Sequence, residues 1–292
     1  MSPRAGRQSA RRGRRRPPAG LPCGVPRPTP LLARLIRRLP ERHRYPAYYR
    51  LLHPLGPADS DLFESAPLAY APGVQMRLLP GDVAHGPIAA LGYYEPELSR
   101  RVAAAARDGG LMVDVGANAG YFSLLWAAQS PRARVVAFEP APRNVALLRE
   151  NVDANGLADR VDVRALAAGE ARGTLAFHLG PDAQTGWGSF SAYVGGRTLD
   201  VPVVRLDEAV DRPIRLLKVD AEGADAWVLR GAERLLRDRA IAEVHFEHLK
   251  SRARVLGIPD DAGRAFLESV GYRVEAAGPE SAAVVDYTAR PA

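Results

Sequence analysis

The chain has 292 residues, 47% of them hydrophobic, which is enough for one sizeable core with an appendage. It has no apolar run of 18 residues, which excludes a membrane-spanning helix, and its single cysteine, Cys23, excludes an internal disulfide and favours a cytoplasmic location. The formal net charge is +7, but residues 1–50 carry 14 arginines and one acid, so the remainder is net negative, which disfavours a nucleic-acid enzyme with a basic cleft.

The N-terminal region divides into two predicted parts. Residues 1–30 are rich in Arg, Pro, Gly and Ser and are predicted to form a disordered arm. Residues 31–73 are predicted to form a helical extension that docks on the body of the protein. Its apolar face consists of Leu31, Leu32, Leu35, Ile36 and Leu39. Peripheral membrane contact through the basic helix and arm is the alternative, since basic amphipathic helices bind membrane surfaces.

Residues 74–292 are predicted to form one α/β domain. Strands are predicted at 74–79, 111–115, 134–139, 161–166, 214–220 and 241–248, and helices at 96–107, 121–129, 142–155 and 225–237. This alternation predicts a doubly wound, mostly parallel sheet. Extended segments at 173–179 and 198–206 predict a hairpin-like insertion over the carboxyl edge of the sheet. A closing antiparallel pair is predicted at 272–275 and 283–287.

The most informative stretch of the domain is residues 111–120. A buried strand leads through Asp114 into a turn where Gly116, Asn118 and Gly120 occupy every second position, and an apolar helix follows. Such a turn builds a small-ligand site at the carboxyl end of the strand. The spacing differs from the dinucleotide fingerprint Gly-x-Gly-x-x-Gly. It is typical of S-adenosylmethionine (SAM) sites, where a carboxylate can meet the cationic amino-acid end, so these four residues are predicted to bind SAM.

The next two strand ends supply more of the predicted cofactor site. Glu139 ends the second strand, 23 positions after Gly116, where its carboxylate can accept hydrogen bonds from both ribose hydroxyls. A solvated strand-end acid is the alternative. Asn144, in the first turn of the following helix, is predicted to reach the ribose or to cap its own helix. Ala165 and Leu166, at the end of the third strand, are expected to lie against the face of the adenine ring. The alternative is that they are ordinary core residues.

The fourth strand ends at Lys218 and Asp220, where the reactive end of the cofactor and the acceptor must meet. Asp220 is the candidate for contacting the methionine amino group or the acceptor, and Lys218 points to the same face by the period of two. Lysine is rare in this chain, with two lysines against 38 arginines, which suggests that a compact ammonium is needed at position 218. The alternative is a structural lysine paired with a neighbouring carboxylate.

Ionisable residues alternate on the fifth strand as Glu243, His245 and Glu247, and His248 follows. Such residues in a central strand cost free energy unless they are paired or functional. His248 or Glu247 is predicted to be the general base of a metal-free site, because a histidine titrates near neutral pH. A divalent metal that Asp220, Glu247 and His248 hold together is the alternative.

Two aromatic segments are candidates for covering the site. Tyr94 and Glu95 precede the helix at 96–107, where the chain can fold over the cofactor, and Trp187, Phe190 and Tyr193 lie among glycines and serines. Aromatic faces suit sugars and polyketide rings, so Tyr94, Glu95 and Trp187 are predicted to bind substrate. Loop anchoring is the alternative. Three histidines lack comparable neighbours and are assigned no role: His53, His85 and His178.

Four motifs together resemble the FkbM family of SAM-dependent methyltransferases. They are Tyr94-Glu95-Pro96, Val113-Asp114-Val115-Gly116-Ala117-Asn118-Ala119-Gly120-Tyr121, Phe138-Glu139-Pro140 with Asn144, and Leu217-Lys218-Val219-Asp220-Ala221-Glu222-Gly223-Ala224. The resemblance spans residues 75 to 275 and implies a Rossmann-like methyltransferase fold, SAM as cofactor and O-methylation of a hydroxyl on a natural product or glycan. It carries cofactor-binding roles over to Asp114, Gly116, Asn118, Gly120, Glu139 and Asp220. Relatives usually have Val where this chain has Ala221.

The choice of acceptor atom rests on a motif that the chain lacks. No Asp/Asn-Pro-Pro-Tyr/Phe segment ends the fourth strand, which disfavours an exocyclic base or amide nitrogen and favours a hydroxyl oxygen on a small molecule or glycan. Two other functions stay open. One is a non-catalytic SAM-binding scaffold that is recruited through its basic arm. The other is a different Rossmann enzyme such as an NAD(P)-dependent oxidoreductase, which the turn spacing disfavours.

Overall fold

A computed structural model describes residues 28–55, 60–192 and 196–292. The predicted arm lies outside the described residues except at its last three positions, and Tyr193 lies outside them altogether. The N-terminal elements are α1 (Pro28–Arg37), α2 (Glu41–Ala47), short helical turns at Tyr48–Leu52 and His53–Leu55, α3 (Ser60–Glu64), β1 (Ala66–Pro67), β2 (Gln75–Met76) and α4 (His85–Leu91).

The remaining elements alternate between helices and strands in the way that the sequence predicts. The first of them are α5 (Pro96–Ala106), β3 (Gly110–Val115), α6 (Tyr121–Gln129), β4 (Ala133–Phe138), α7 (Pro142–Ala154), β5 (Val161–Arg164), β6 (Ala167–Ala168), β7 (Gly173–His178) and β8 (Thr198–Val204). The last are α8 (Leu206–Ala209), β9 (Leu216–Val219), α9 (Asp225–Arg230), α10 (Glu233–Arg237), β10 (Val244–Leu249), α11 (Lys250–Val255), α12 (Ala262–Ser269), β11 (Tyr272–Ala277) and β12 (Val284–Pro291).

The main sheet has seven strands in the order β11-β12-β10-β9-β3-β4-β5. Strands β10, β9, β3, β4 and β5 are parallel, and β12 and β11 add the antiparallel closing pair. The predicted α/β fold, doubly wound and mostly parallel, is therefore confirmed. The predicted insertion forms part of a second sheet, in which β7 and β8 pair antiparallel and β6 pairs with β8.

Strand β3 shows why the sheet is buried on both faces. Leu111, Val113 and Val115 alternate with Met112 and Asp114, and all five side chains are buried. The first three pack into a core with α9, while Met112 packs into a second core with α6. A strand between two helical layers needs apolar residues on both of its faces, so its sequence is nearly continuous in hydrophobicity.

Two predicted elements differ from the structure in more than the positions of their end residues. The helix predicted at 225–237 is divided into α9 and α10. Gly231 lies so close to the backbone of Gly169 that a Cβ would come within 2.0 Å of the Gly169 carbonyl oxygen. The Asp207 carboxylate accepts hydrogen bonds from the N–H groups of Arg234 (3.1 Å) and Leu235 (3.0 Å), which starts a new helix there. The strand predicted at 74–79 is reduced to β2, because its partner β1 is two residues long.

The N-terminal helices dock on the domain. Ala33 and Ile36 of α1 are buried in the same core as α6. The Arg37 guanidinium donates hydrogen bonds to the carbonyl oxygens of Ala89 (2.8 Å) and Ala90 (2.7 Å) near the end of α4. The division of the chain at residue 73 stays a prediction. None of the helices in the part of the chain that the structure describes is long and apolar enough to cross a membrane.

Candidate functional site

A cavity opens at the carboxyl edge of the parallel strands, between the main sheet, the β7–β8 sheet and the segment around α4. It brings together most of the residues that the sequence predicts for the site. The predicted residues in its wall are Tyr94, Gly116, Asn118, Glu139, Asn144, Leu166, Trp187, Lys218 and Asp220.

The turn after β3 forms the floor of this cavity, and two of its glycines are required by close approach. Gly116 has a φ of +76°, and a Cβ there would lie 1.9 Å from the Asp220 carbonyl oxygen. Gly120 has a φ of +95°, and its Cβ would lie 2.3 Å from a methyl carbon of Leu148 on α7. Only glycine fits both the backbone conformation and the space. Gly120 thus allows the start of α6 to lie close to Leu148 of α7, and it lies outside the cavity wall.

Glu139 follows β4 and is buried at the edge of the turn. Its Oε2 accepts a hydrogen bond from the Asn118 N–H (2.9 Å) and its Oε1 accepts one from the Ala141 N–H (2.9 Å). Burial raises the pKa of Glu139 to about 7, although these N–H groups and the Asn144 amide act in the opposite direction. The second lone pair of Oε1 faces the Asn144 amide (3.4 Å), whereas Oε2 has a second lone pair that can still accept a hydroxyl donor from a ligand.

The aromatic segment that contains Trp187 and Phe190 lines the cavity and is held at Thr185, and we call residues 184–190 the lid segment. The Asp82 carboxylate accepts a hydrogen bond from the Thr185 N–H (2.7 Å), and the Asn144 side-chain amide donates one to the Thr185 carbonyl oxygen (3.1 Å). Trp187 stays 45% exposed, and the Arg252 guanidinium lies 5.3 Å from the centre of its ring. The Asn144 amide also points to Glu139 (3.4 Å), so Asn144 connects Glu139 to the lid segment.

Lys218 is a buried residue of the cavity wall and lies between two carboxylates. Its Nζ is 3.6 Å from Asp114 Oδ1 and 3.4 Å from Asp220 Oδ2, and it faces the Phe122 ring at 5.2 Å. Burial by itself lowers the pKa of Lys218, but Asp220 and Asp114 outweigh it and raise that pKa above its usual value. The Ser123 hydroxyl donates to Asp114 Oδ2 (2.7 Å). Asp114 is 1% exposed and lies outside the cavity wall, so it positions Lys218 in this structure.

Carboxylates cluster beside Asp220, because the strand register places Glu247 next to it and Asp286 next to Glu247. Burial and the Asp220 charge raise the pKa of Glu247 to about 10. Glu247 is therefore protonated at neutral pH, which argues against the predicted role as general base. Glu95, in a left-handed conformation (φ 41°) at the start of α5, has its pKa raised to about 7 by burial and by Asp220.

His248 does not reach the site. Successive side chains of β10 alternate between the two faces of the sheet, and Lys218 pairs in register with His245. His248 is buried on the opposite face from Lys218 and is absent from the cavity wall. This placement argues against His248 as the general base.

Ala165 also lies outside the wall, where Leu166, Ala167 and Ala168 take the predicted place. No group of three or more His, Cys, Asp and Glu among the described residues is arranged to hold a metal ion.

The structure adds a site residue that the sequence left without a role, His85 on α4. Its Nδ1 accepts a hydrogen bond from the Leu79 N–H (3.0 Å), so its proton is on Nε2. That nitrogen is buried in the cavity wall, where the Asn118 side chain faces it without hydrogen-bonding geometry, and it has no partner among the described residues. Burial lowers the pKa of His85, so the ring is neutral. No local sequence pattern marks it, because its environment comes from distant segments.

The lining of the cavity fits a nucleoside that carries a cationic group. Phe138, Leu166 and Phe177 supply an apolar wall for a flat ring, and Glu139 supplies a hydroxyl acceptor beside it. Asp220 supplies a carboxylate at the other side of the glycine turn. The unpartnered Nε2–H of His85 is a donor that a bound molecule can satisfy.

The doubly wound sheet with a glycine turn at its carboxyl edge defines a Rossmann-like fold. The family model for the methyltransferase FkbM domain matches residues 114–274, more than half of the chain, and includes Gly116, Glu139 and Asp220. This chain belongs to the FkbM methyltransferase family, which confirms the resemblance seen in the sequence.

Individual relatives match over part of their length. The chain is 33% identical over 173 residues to the 31-O-demethyl-FK506 methyltransferase FkbM of Streptomyces tacrolimicus, which covers 48% of this chain and 66% of that enzyme. It is 30% identical over 156 residues to the methyltransferase sdnD of Sordaria araneosa, covering 42% and 60%. The matches thus span about two thirds or less of these relatives. A methyltransferase FkbM structure from Methylobacillus flagellatus KT aligns with a TM-score of 0.44 at 19% identity, over 62% of this chain and 44% of that one.

Proposed function

We propose that this protein is a SAM-dependent methyltransferase that acts on a hydroxyl oxygen of a natural product or glycan. The observation that carries the proposal is the pairing of the Gly116 turn with the buried carboxylate of Glu139 in one cavity. Family membership and the natural-product methyltransferases among the relatives support it. SAM supplies a methyl group that is already activated on a sulfonium, so alignment and removal of the hydroxyl proton are left to the protein.

The residues of the chain divide this work between them. Glu139 accepts the ribose hydroxyls, and the apolar wall at Phe138 and Leu166 holds the adenine ring. Asp220 faces the cationic amino-acid end, and Lys218, 3.4 Å from it, fixes the carboxylate in place. Tyr94 lines the cavity, whereas the next residue, Glu95, lies outside its wall, so no residue is assigned to take the proton of the acceptor hydroxyl.

Two measurements test this proposal. Calorimetry with SAM and its demethylated product should show binding of both, and labelled SAM should transfer its methyl group to hydroxyl compounds in a mixture of small molecules and glycans. Asp220→Asn should keep the fold and lose most turnover, while the control Asp211→Asn, at an exposed carboxylate, should leave turnover unchanged. Binding of SAM without transfer to any acceptor would favour the scaffold alternative, and absence of SAM binding would refute the proposal.

A further inference from the structure

The surface of the N-terminal helices is unusually apolar for a region that is already docked. Eleven large hydrophobic side chains are exposed in the residues that the structure describes, and six of them lie between positions 31 and 55. They are Leu31, Leu35, Leu39, Tyr49, Leu51 and Leu55. We call these six residues, with the exposed arginines at 34, 38, 42 and 50, the N-terminal face.

The exposed leucines of helix α1 are not part of the hydrophobic core. The other side of the helix already packs on the protein, because Ala33 and Ile36 are buried and the Arg37 guanidinium donates hydrogen bonds to the end of α4. The spacing of Leu31 and Leu35, with arginines at 34 and 38, places them together on the outer side of the helix. Leu31 is 64% exposed. Apolar and basic side chains thus share one outer surface.

The charge of the N-terminal face is almost wholly positive. Glu41 is the one acid between residues 28 and 55, and its carboxylate is occupied by the Arg100 guanidinium and by the Tyr70 hydroxyl (2.5 Å). The preceding residues 1–27 add eight arginines and no acid to the sequence. A partner for this surface must therefore be anionic and must also offer an apolar layer to the leucines.

From this combination we propose that the N-terminal face docks on the surface of an anionic lipid bilayer. Lipid headgroups meet the arginines, and the leucines enter the boundary between headgroups and acyl chains. A nucleic acid would satisfy the arginines and leave Leu31 and Leu35 in water. A second copy of the chain would place arginines against arginines. The proposal does not depend on the proposed enzyme activity.

One residue connects this face to the cavity. Tyr49 is half-exposed on the N-terminal face, and it is also in the cavity wall. A protein docked through this face therefore holds the cavity close to the bilayer surface.

The test uses the full chain and sedimentation with phosphatidylcholine vesicles that contain or lack phosphatidylglycerol. Binding should require the anionic lipid and should weaken as salt is raised. Leu31→Ser with Leu35→Ser should reduce binding at least tenfold at unchanged Tm. The matched control Leu175→Ser, at an exposed leucine on β7, should have no effect. Arg34→Ala with Arg38→Ala should weaken binding, and Arg149→Ala with Arg212→Ala should not.

Three results would overturn the proposal. Unchanged binding of the leucine double variant would mean that arginines alone attract the vesicles. Equal binding to vesicles of both compositions, or to neither, would remove the anionic bilayer as the partner. A dimer that the Leu31→Ser, Leu35→Ser variant dissociates would show that the face is covered by a second copy of the chain.

Discussion

The ionisation of Glu139 should control ligand affinity between pH 6 and pH 8. This carboxyl is 5% exposed, and burial raises its pKa to about 7 in the free protein. In the proposed ribose contact, the charged form should accept a hydroxyl more strongly than the neutral form, because hydrogen bonds to a charged acceptor contribute about 1.5–3 kcal/mol each. Affinity should therefore rise as the pH rises through 7, and ligand binding should release a proton.

The expected size of the effect follows from this pKa. With a pKa of about 7, roughly one tenth of Glu139 is ionised at pH 6 and roughly nine tenths at pH 8, so the affinity should increase by about tenfold over this range. Glu139→Gln keeps one acceptor oxygen and loses the charge. At pH 8 it should weaken binding by about 1.5–3 kcal/mol, which is a factor of roughly 10 to 150 in Kd.

Adenosine is the best probe in this assay, because it carries the ribose and lacks the titrating amino-acid group. Calorimetry at pH 6, 7 and 8 in two buffers of different ionisation enthalpy measures both the affinity and the proton release. Glu95→Gln serves as the control, since its carboxyl also has a pKa of about 7 but lies outside the cavity wall. An affinity for adenosine that does not change with pH, or a pH dependence that survives Glu139→Gln, would refute the reasoning.

The same raised pKa predicts the sign of a stability change. Between a pKa of 4.5 in the unfolded chain and about 7 in the folded one, Glu139 binds its proton in the folded state and loses it on unfolding. The unfolded state then binds fewer protons, so this residue lowers the free energy of unfolding as the pH rises from 4.5 to 7. Glu139→Gln should reduce that slope in denaturant titrations.

Two further predictions concern the turn and the histidine. Gly116→Ala should lower the free energy of unfolding by more than about 3 kcal/mol in denaturant titrations, because its Cβ would meet the Asp220 carbonyl oxygen at 1.9 Å, whereas Gly173→Ala has open space and should change it little. His85→Asn keeps an acceptor for the Leu79 N–H and removes the Nε2 donor. It should weaken adenosine or SAM binding in calorimetry by about 1 kcal/mol, roughly fivefold, at nearly unchanged Tm, and His43→Ala should not. Equal stability of the two glycine variants, or unchanged affinity of His85→Asn, would contradict these expectations.

The sequence predicts the elements whose signals are local. Helix α6 has the predicted bounds, and the strand before it differs from the prediction by one residue, because an apolar strand, a glycine turn and an apolar helix follow one another without interruption. The break between α9 and α10 depends on Asp207, which is distant in sequence. His85 depends on the Leu79 N–H and on the fold of the N-terminal region over the cavity. Neither the helix break nor the environment of His85 leaves a periodic pattern in the sequence, because both depend on contacts between distant segments.

The ionisable residues of the central strands show where local periodicity reaches its limit. Alternation along β9 correctly places Lys218 and Asp220 on one face, as their 3.4 Å separation shows. The partner across the strands follows only from the order β10-β9-β3, which sets Lys218 in register with His245 on one side and Asp114 on the other. The acid that opens the glycine motif, Asp114, consequently contacts Lys218 from outside the cavity wall. Of the two carboxylates beside Lys218, Asp220 is the one in the cavity wall, and it comes from the end of the fourth parallel strand along the chain.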